Sequence, residues 1–162
     1  MKDERPYTWE IVTDYTEQVD AYLKSYFDRV YPQFKDLKTE AEQVADEEYK
    51  MRMRVEGDDT VDPSEVAESA RNAGVIWYST MIDTRQGICN LFTIGLRHLF
   101  EQQVRQFVEY NKLSDERSDK YSDHEKSIKK VIAVGTLTCW STLKELESAA
   151  NAVKHGEGEA AR

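Results

Sequence analysis

From Pro63 to about Leu113 the chain meets no further proline, and between Val75 and Val108 its apolar residues recur on most sides of a helix. Ile76, Trp77, Met81, Ile82, Leu91 and Phe92 begin the series, and Leu96, Leu99, Phe100, Val104 and Phe107 continue it. A stretch of this length without a proline stop, patterned at three- and four-residue steps, predicts one long helix. A helix apolar around most of its girth is expected at the centre of a bundle. Gly74, Gly87 and Gly95 weigh against an unbroken helix, by about 1 kcal/mol of propensity each. Gly87 and Gly95 lie nearly on one face, which would admit the close approach of another backbone.

The rest of the chain arranges itself around that element. Trp9 to about Val55 reads as helix, with Trp9, Val12, Val19, Tyr22, Leu23, Tyr26 and Phe27 at helical spacing and a kink or break near Pro32. Beyond Pro32 the apolar signal thins, and Tyr49, Met51 and Met53 near its end suggest packing against another chain. Asp62 before Pro63 has the form of an N-cap with proline at the first helical position. Ser114 to Asp123 reads as a charged loop whose Asp123 caps a short helix, and Gly135 or Thr136 begins the last one. Its stripe is Cys139, Leu143, Leu146, Ala150 and Val153. The fold class is all-α: residues 1–56 form an extended acidic N-terminal helical arm, 57–64 a linker, and 65–162 the helical bundle core.

Composition narrows the partners. At 162 residues the chain can bury a core without staples. Its net charge of −9 is concentrated in residues 1–62, where nine Lys/Arg face seventeen Asp/Glu. Without a basic stripe, non-specific DNA binding is excluded, whereas a local site for RNA stays open. Cys89 and Cys139 sit among apolar neighbours and read as buried free thiols. No CxxC or His/Cys cluster asks for a metal, and nothing suggests a cofactor. No run approaches a membrane span and no apolar leader follows Met1, so a soluble cytoplasmic protein is expected.

Chemistry concentrates at the end of the last helix, in Ala150-Asn151-Ala152-Val153-Lys154-His155-Gly156-Glu157-Gly158. Asn151 and His155 project from one face, and Gly156 falls where a left-handed cap is expected. Ordinary helix termination accounts for the same residues, since Lys and His are common in a last turn. A second feature is the polar series Asp83, Gln86, Asn90, Arg97, Glu101 and Arg105 on the long helix. Arg97 and Glu101 can pair, and if this series faced the last helix they would meet Asn151 and His155 in a cleft. Arginine could then stabilise a pentavalent phosphate, histidine act as general acid or base, and glutamate orient both. A merely solvated face is the alternative.

The segment Leu143 to Gly158, with its A-N-x-x-K-H-G-x-G ending, resembles the C-terminal helix of bacterial HEPN-like proteins, and the resemblance extends over about residues 78–158. It implies a four- or five-helix bundle, usually dimeric, of toxin–antitoxin and antiviral (phage) defence systems. Many members are metal-independent endoribonucleases built on an Arg-x(4–6)-His motif. Asn151 and His155 match the polar and histidine positions of that motif. Its arginine has no counterpart, because Ala150 precedes Asn151 and Glu147 lies one turn earlier. Lys154 points elsewhere and lacks the bidentate fork; Arg97 of the long helix could supply a guanidinium in its place.

Three functions follow as expectations. The first is a HEPN-like endoribonuclease or toxin component that uses His155, Asn151, Arg97 and Glu101 as catalytic residues. The second is a non-catalytic interaction or regulatory module of the same fold, binding a partner protein from a defence or toxin–antitoxin operon. The third is a purely structural helical subunit. All three anticipate a homo-oligomer, a dimer or larger, with Tyr49, Met51 and Met53 at the contact.

Overall fold

The computed structural model describes residues 9–55, 62–113, 118 and 120–156, with the side chains of 9–12 left aside. Among the described residues the chain forms helices and no strand. These are α1 (Trp9–Lys24), α2 (Leu37–Val55), α3 (Pro63–Tyr110), α4 (Tyr121–Val131) and α5 (Trp140–His155). Most of the predicted linker 57–64 lies outside the described residues. Among them, no helix is long and apolar enough to cross a membrane.

The chain divides into two compact units, one of residues 1–25 and 90–162 and the other of 26–89. The break expected near Pro32 is there. After α1 the chain widens into a π-helical turn, Ser25–Val30, then tightens into a 3-10 turn, Tyr31–Phe34, with Pro32 in its first positions. Proline has no N–H for the helical ladder, so α2 restarts only at Leu37.

The long helix is continuous for 48 residues in spite of its three glycines. Asp62 begins it as expected: its Oδ1 accepts the Ser64 backbone N–H at 2.8 Å and the Ser64 hydroxyl at 2.7 Å. Those two bonds hold the Asp62 carboxyl below its ordinary pKa. At the other end Lys112 takes a positive φ of 50° where glycine is usual. The Leu113 N–H returns to the Val108 carbonyl at 3.0 Å and the Lys112 N–H to that of Glu109 at 3.2 Å. This pair of bonds is a Schellman closure that satisfies the last carbonyls.

Two of the glycines earn their place by close approach, and they are not the expected pair. In the unit of residues 26–89, a Cβ on Gly74 would fall 2.6 Å from the Ala41 carbonyl oxygen and 3.1 Å from the Ala45 Cβ, so α2 lies directly against α3 there. In the other unit, Gly95 makes room for Tyr22, whose hydroxyl donates to the Phe92 carbonyl at 3.2 Å. Gly87 faces open space.

The buried apolar core is small. Phe34, Leu37, Val66 and Ala70 are buried in the unit of 26–89, and Val108, Val134 and Ala150 in the other. The expectation that α3 is covered on most sides is corrected within each unit: Val75 is 61% exposed, Ile76 66% and Leu91 68%. One or two neighbouring helices can cover only part of a helix's circumference. Three local readings also change. Asp123 lies inside the first turn of α4, not before it, because the helix starts at Tyr121 with Lys120 as its cap residue. The last helix starts at Trp140, after a 3-10 turn over Val134–Thr136. Cys139, just ahead of that start, is exposed, and Cys89 is half-buried.

Candidate functional site

The polar series on α3 has one buried member, and it organises the unit of residues 1–25 and 90–162. Arg97 is 4% exposed. Its Nη2 lies 3.3 Å from Glu101 Oε1, one turn along α3, and 3.3 Å from Glu147 Oε1 on α5. The guanidinium stacks over the Tyr121 ring of α4 at 4.1 Å from its centre and approaches the Phe100 ring at 5.6 Å. A buried guanidinium needs such neighbours, because its charge has left water. Burial pushes the Tyr121 hydroxyl to a higher pKa, against the opposing pull of the Arg97 hydrogen bond and charge.

Glu147 carries the charge pattern onward. Its Oε2 accepts from Lys144 Nζ at 2.6 Å, and Lys144 Nζ also reaches Glu125 Oε1 of α4 at 2.9 Å. Lys129 meets the same Glu125 oxygen at 2.9 Å. Glu101, Arg97, Glu147, Lys144, Glu125 and Lys129 thus form an alternating chain across α3, α5 and α4 that sums to no net charge. The indole ring of Trp140 lies between the two ammonium groups, 5.1 Å from Lys144 and 5.5 Å from Lys129. At Glu125 burial favours the neutral acid, but hydrogen bonds from Lys129 and Lys144 outweigh it and hold the carboxyl below its ordinary pKa. At Lys144 burial opposes the charge, and the bonds to Glu147 and Glu125 raise the pKa overall.

The predicted site residues are divided by this arrangement. Arg97 and Glu101 pair as expected, and Arg97 does reach the last helix. It reaches it at Glu147. Asn151 and His155 continue the same face of α5 at four-residue steps, and both are exposed. At 1.5 Å of rise per residue, His155 stands roughly 12 Å along the axis from Glu147. Ala150, on the covered side of that turn, is fully buried. Gly156 ends α5 with φ of 68°, a backbone angle that favours glycine, as its place in the sequence predicts. Tyr49 is half-buried on α2, whereas Met51 and Met53 are exposed.

Sequence reasoning passed over Glu147, Lys144, Glu125 and Tyr121. The signal for Glu147 was present, since it lies four residues before Asn151 on the face already singled out. Glu125 also had a local signal in Lys129, one turn on along α4, whereas Tyr121 meets Arg97 only across helices. His124 of α4 is 4% exposed, and among the described residues its Nε2 has no hydrogen-bond partner. His98 is a surface residue, its ring within 3.0 Å of the Gln102 amide.

Chemically the charged chain is a clasp. Each of its acids faces a base, and Arg97 could turn toward a phosphate only by leaving two carboxylates behind, a change that costs about 3–5 kcal/mol for a buried pair. The chain matches no family model, and no curated protein or solved structure is similar to it.

Proposed function

We propose that this chain is a non-catalytic helical interaction module that works as a homo-oligomer. The resemblance to HEPN-like bundles suggests a place for it in a bacterial defence or toxin–antitoxin complex. One observation carries the reading. Among the described residues of the unit 26–89, Phe27, Tyr31, Met51, Met53, Val55, Val75 and Ile76 are exposed, against Phe34, Leu37, Val66 and Ala70 buried. A unit of this size that exposes more large apolar side chains than it buries is poorly stabilised alone and gains by meeting another protein surface. The acidic composition of residues 1–62 argues against a polyanion as that partner.

Light scattering on the eluting protein tests this directly. The wild type is expected at twice the chain mass or more, and the double variant Val75→Lys/Ile76→Lys at the mass of one chain with unchanged helical circular dichroism. A wild type that elutes as a single chain over a wide concentration range rejects self-association.

The exposure of Asn151 and His155 together on the last turn of α5 favours a second reading, a metal-independent endoribonuclease. There His155 would act on RNA with Asn151 beside it, while Arg97 and Glu101 would brace α5 through Glu147. Incubation with total RNA in EDTA decides between the two. Cleavage by the wild type but not by His155→Ala selects the nuclease, and absence of cleavage by either withdraws it.

A further inference from the structure

The unit of residues 1–25 and 90–162 carries an apolar cleft that opens to solvent. It lies between α3, α4 and the start of α5 and has a volume of about 330 Å³. Its walls are Phe100, Val104 and Phe107 from α3, Ile128 from α4, and Trp140 and Leu143 from α5. An apolar void of 150 Å³ holds benzene, so this one has room for roughly ten to thirteen non-hydrogen atoms. Its size and its apolar, aromatic lining are those of small-molecule sites.

Beside Tyr15 and Tyr121 the wall carries Glu125 and Gln103, and these two are in different states. Glu125 Oε1 is buried without a well-aligned hydrogen bond but is neutralised by Lys129 and Lys144, each at 2.9 Å. Gln103 has no such neighbour: among the described residues its Nε2 is buried without a hydrogen-bond partner. A buried amide donor left unpaired is unfavourable, and such groups in folded proteins call for an explanation. The walls are held in place from behind. Arg97 braces the Phe100 and Tyr121 rings, and Lys129 and Lys144 flank Trp140, so the cavity needs little reorganisation to be filled. Glu125 and the two lysines answer one another, so a charged occupant would leave water without finding a free counter-charge on this wall.

We propose that this cavity binds a small neutral molecule, aromatic or alicyclic, whose single hydrogen-bond acceptor takes the Gln103 amide N–H. This site is independent of the apolar surface of residues 26–89. Cys139 and Leu137, exposed on its rim, mark the entrance.

Equilibrium dialysis of the full chain with acetylnaphthalene, ethylnaphthalene and naphthoate tests the proposal. The wild type is expected to bind the two neutral probes and to bind naphthoate more weakly. Gln103→Leu should weaken the ketone about fivefold, the size of one net hydrogen bond, and leave ethylnaphthalene unchanged. Leu143→Trp should fill the space and abolish binding of both. Should Leu143→Trp fail to fold, the wild type still decides the matter through its thiols: saturating acetylnaphthalene should slow alkylation of Cys139 by iodoacetamide several-fold and leave the rate at Cys89 as it was. Lack of binding by the wild type, ketone affinity unaltered in Gln103→Leu, or unprotected Cys139 overturns the proposal.

Discussion

Arg97 of α3 and Glu147 of α5 meet at 3.3 Å, with the guanidinium almost wholly out of water and Glu147 about a quarter exposed. The same guanidinium holds Glu101 on its own helix and lies over Tyr121 of α4, so three helices converge on one buried charge. Buried ion pairs of this kind contribute little net stability compared with a well-packed apolar replacement, but they are destabilising to break from one side. They specify which face of α5 meets α3.

A double-mutant cycle measures that relationship. Glu147→Gln should destabilise the unit by about 1–2 kcal/mol and Arg97→Met by about 3 kcal/mol, because the latter takes the guanidinium from Glu101 and leaves Glu147 with Lys144 alone. The double variant should fall short of the sum by about 1–2 kcal/mol, the signature of coupled neighbours. Urea unfolding followed by circular dichroism supplies all four stabilities, and strict additivity would show that the pair is not coupled.

The pH dependence follows from Glu125 and Lys144. The folded pKa of Glu125 is depressed, so its contribution is complete above the ordinary value of 4.5 and is lost as pH falls through the lower, folded value. The folded pKa of Lys144 is raised, so its contribution is complete below the ordinary value of 10.5 and is lost as pH rises through the higher one. Thermal unfolding should therefore show a plateau between these limits and fall on both sides. Glu125→Gln should flatten the acid limb, and Lys144→Met the alkaline limb.

The glycines of α3 should respond oppositely to the same substitution. Gly87→Ala adds a methyl in open space and should stabilise the helix by about 1 kcal/mol through propensity alone. Gly74→Ala places that methyl against the backbone of Ala41 and should destabilise by about 1–3 kcal/mol. Equal effects at the two positions would contradict the close approach of α2 to α3.

The end of α3 offers a stabilising change. Lys112 adopts a left-handed backbone that a Cβ disfavours, so Lys112→Gly should raise stability by about 1 kcal/mol while keeping the Schellman bonds. Amide exchange of Leu113 reports whether its bond to Val108 survives.

Much of the local structure was legible along the chain. The break at Pro32, the start of α3 at Asp62-Pro63 and the stop of α5 at Gly156 are each set by one residue's own dihedral limits or capping chemistry. The pairing of Arg97 with Glu101 is a one-turn relationship, visible from spacing. Misread elements lacked such signals: Asp123 resembles a cap but sits inside α4, and Cys139 has apolar neighbours in sequence yet remains exposed in space.

What the sequence by itself determined is the helical character of the chain, where its main helices stop, and which residues share a face. Helix formation and capping are decided within about one turn, and that information is local. Tertiary structure alone decided that Arg97 faces Glu147 and not His155, that Gly74 and Gly95 but not Gly87 admit a neighbour, and that an apolar space remains beside Gln103. Each of these depends on the register between helices distant in sequence, which is set by the sum of many packing contacts and by no single residue's preference.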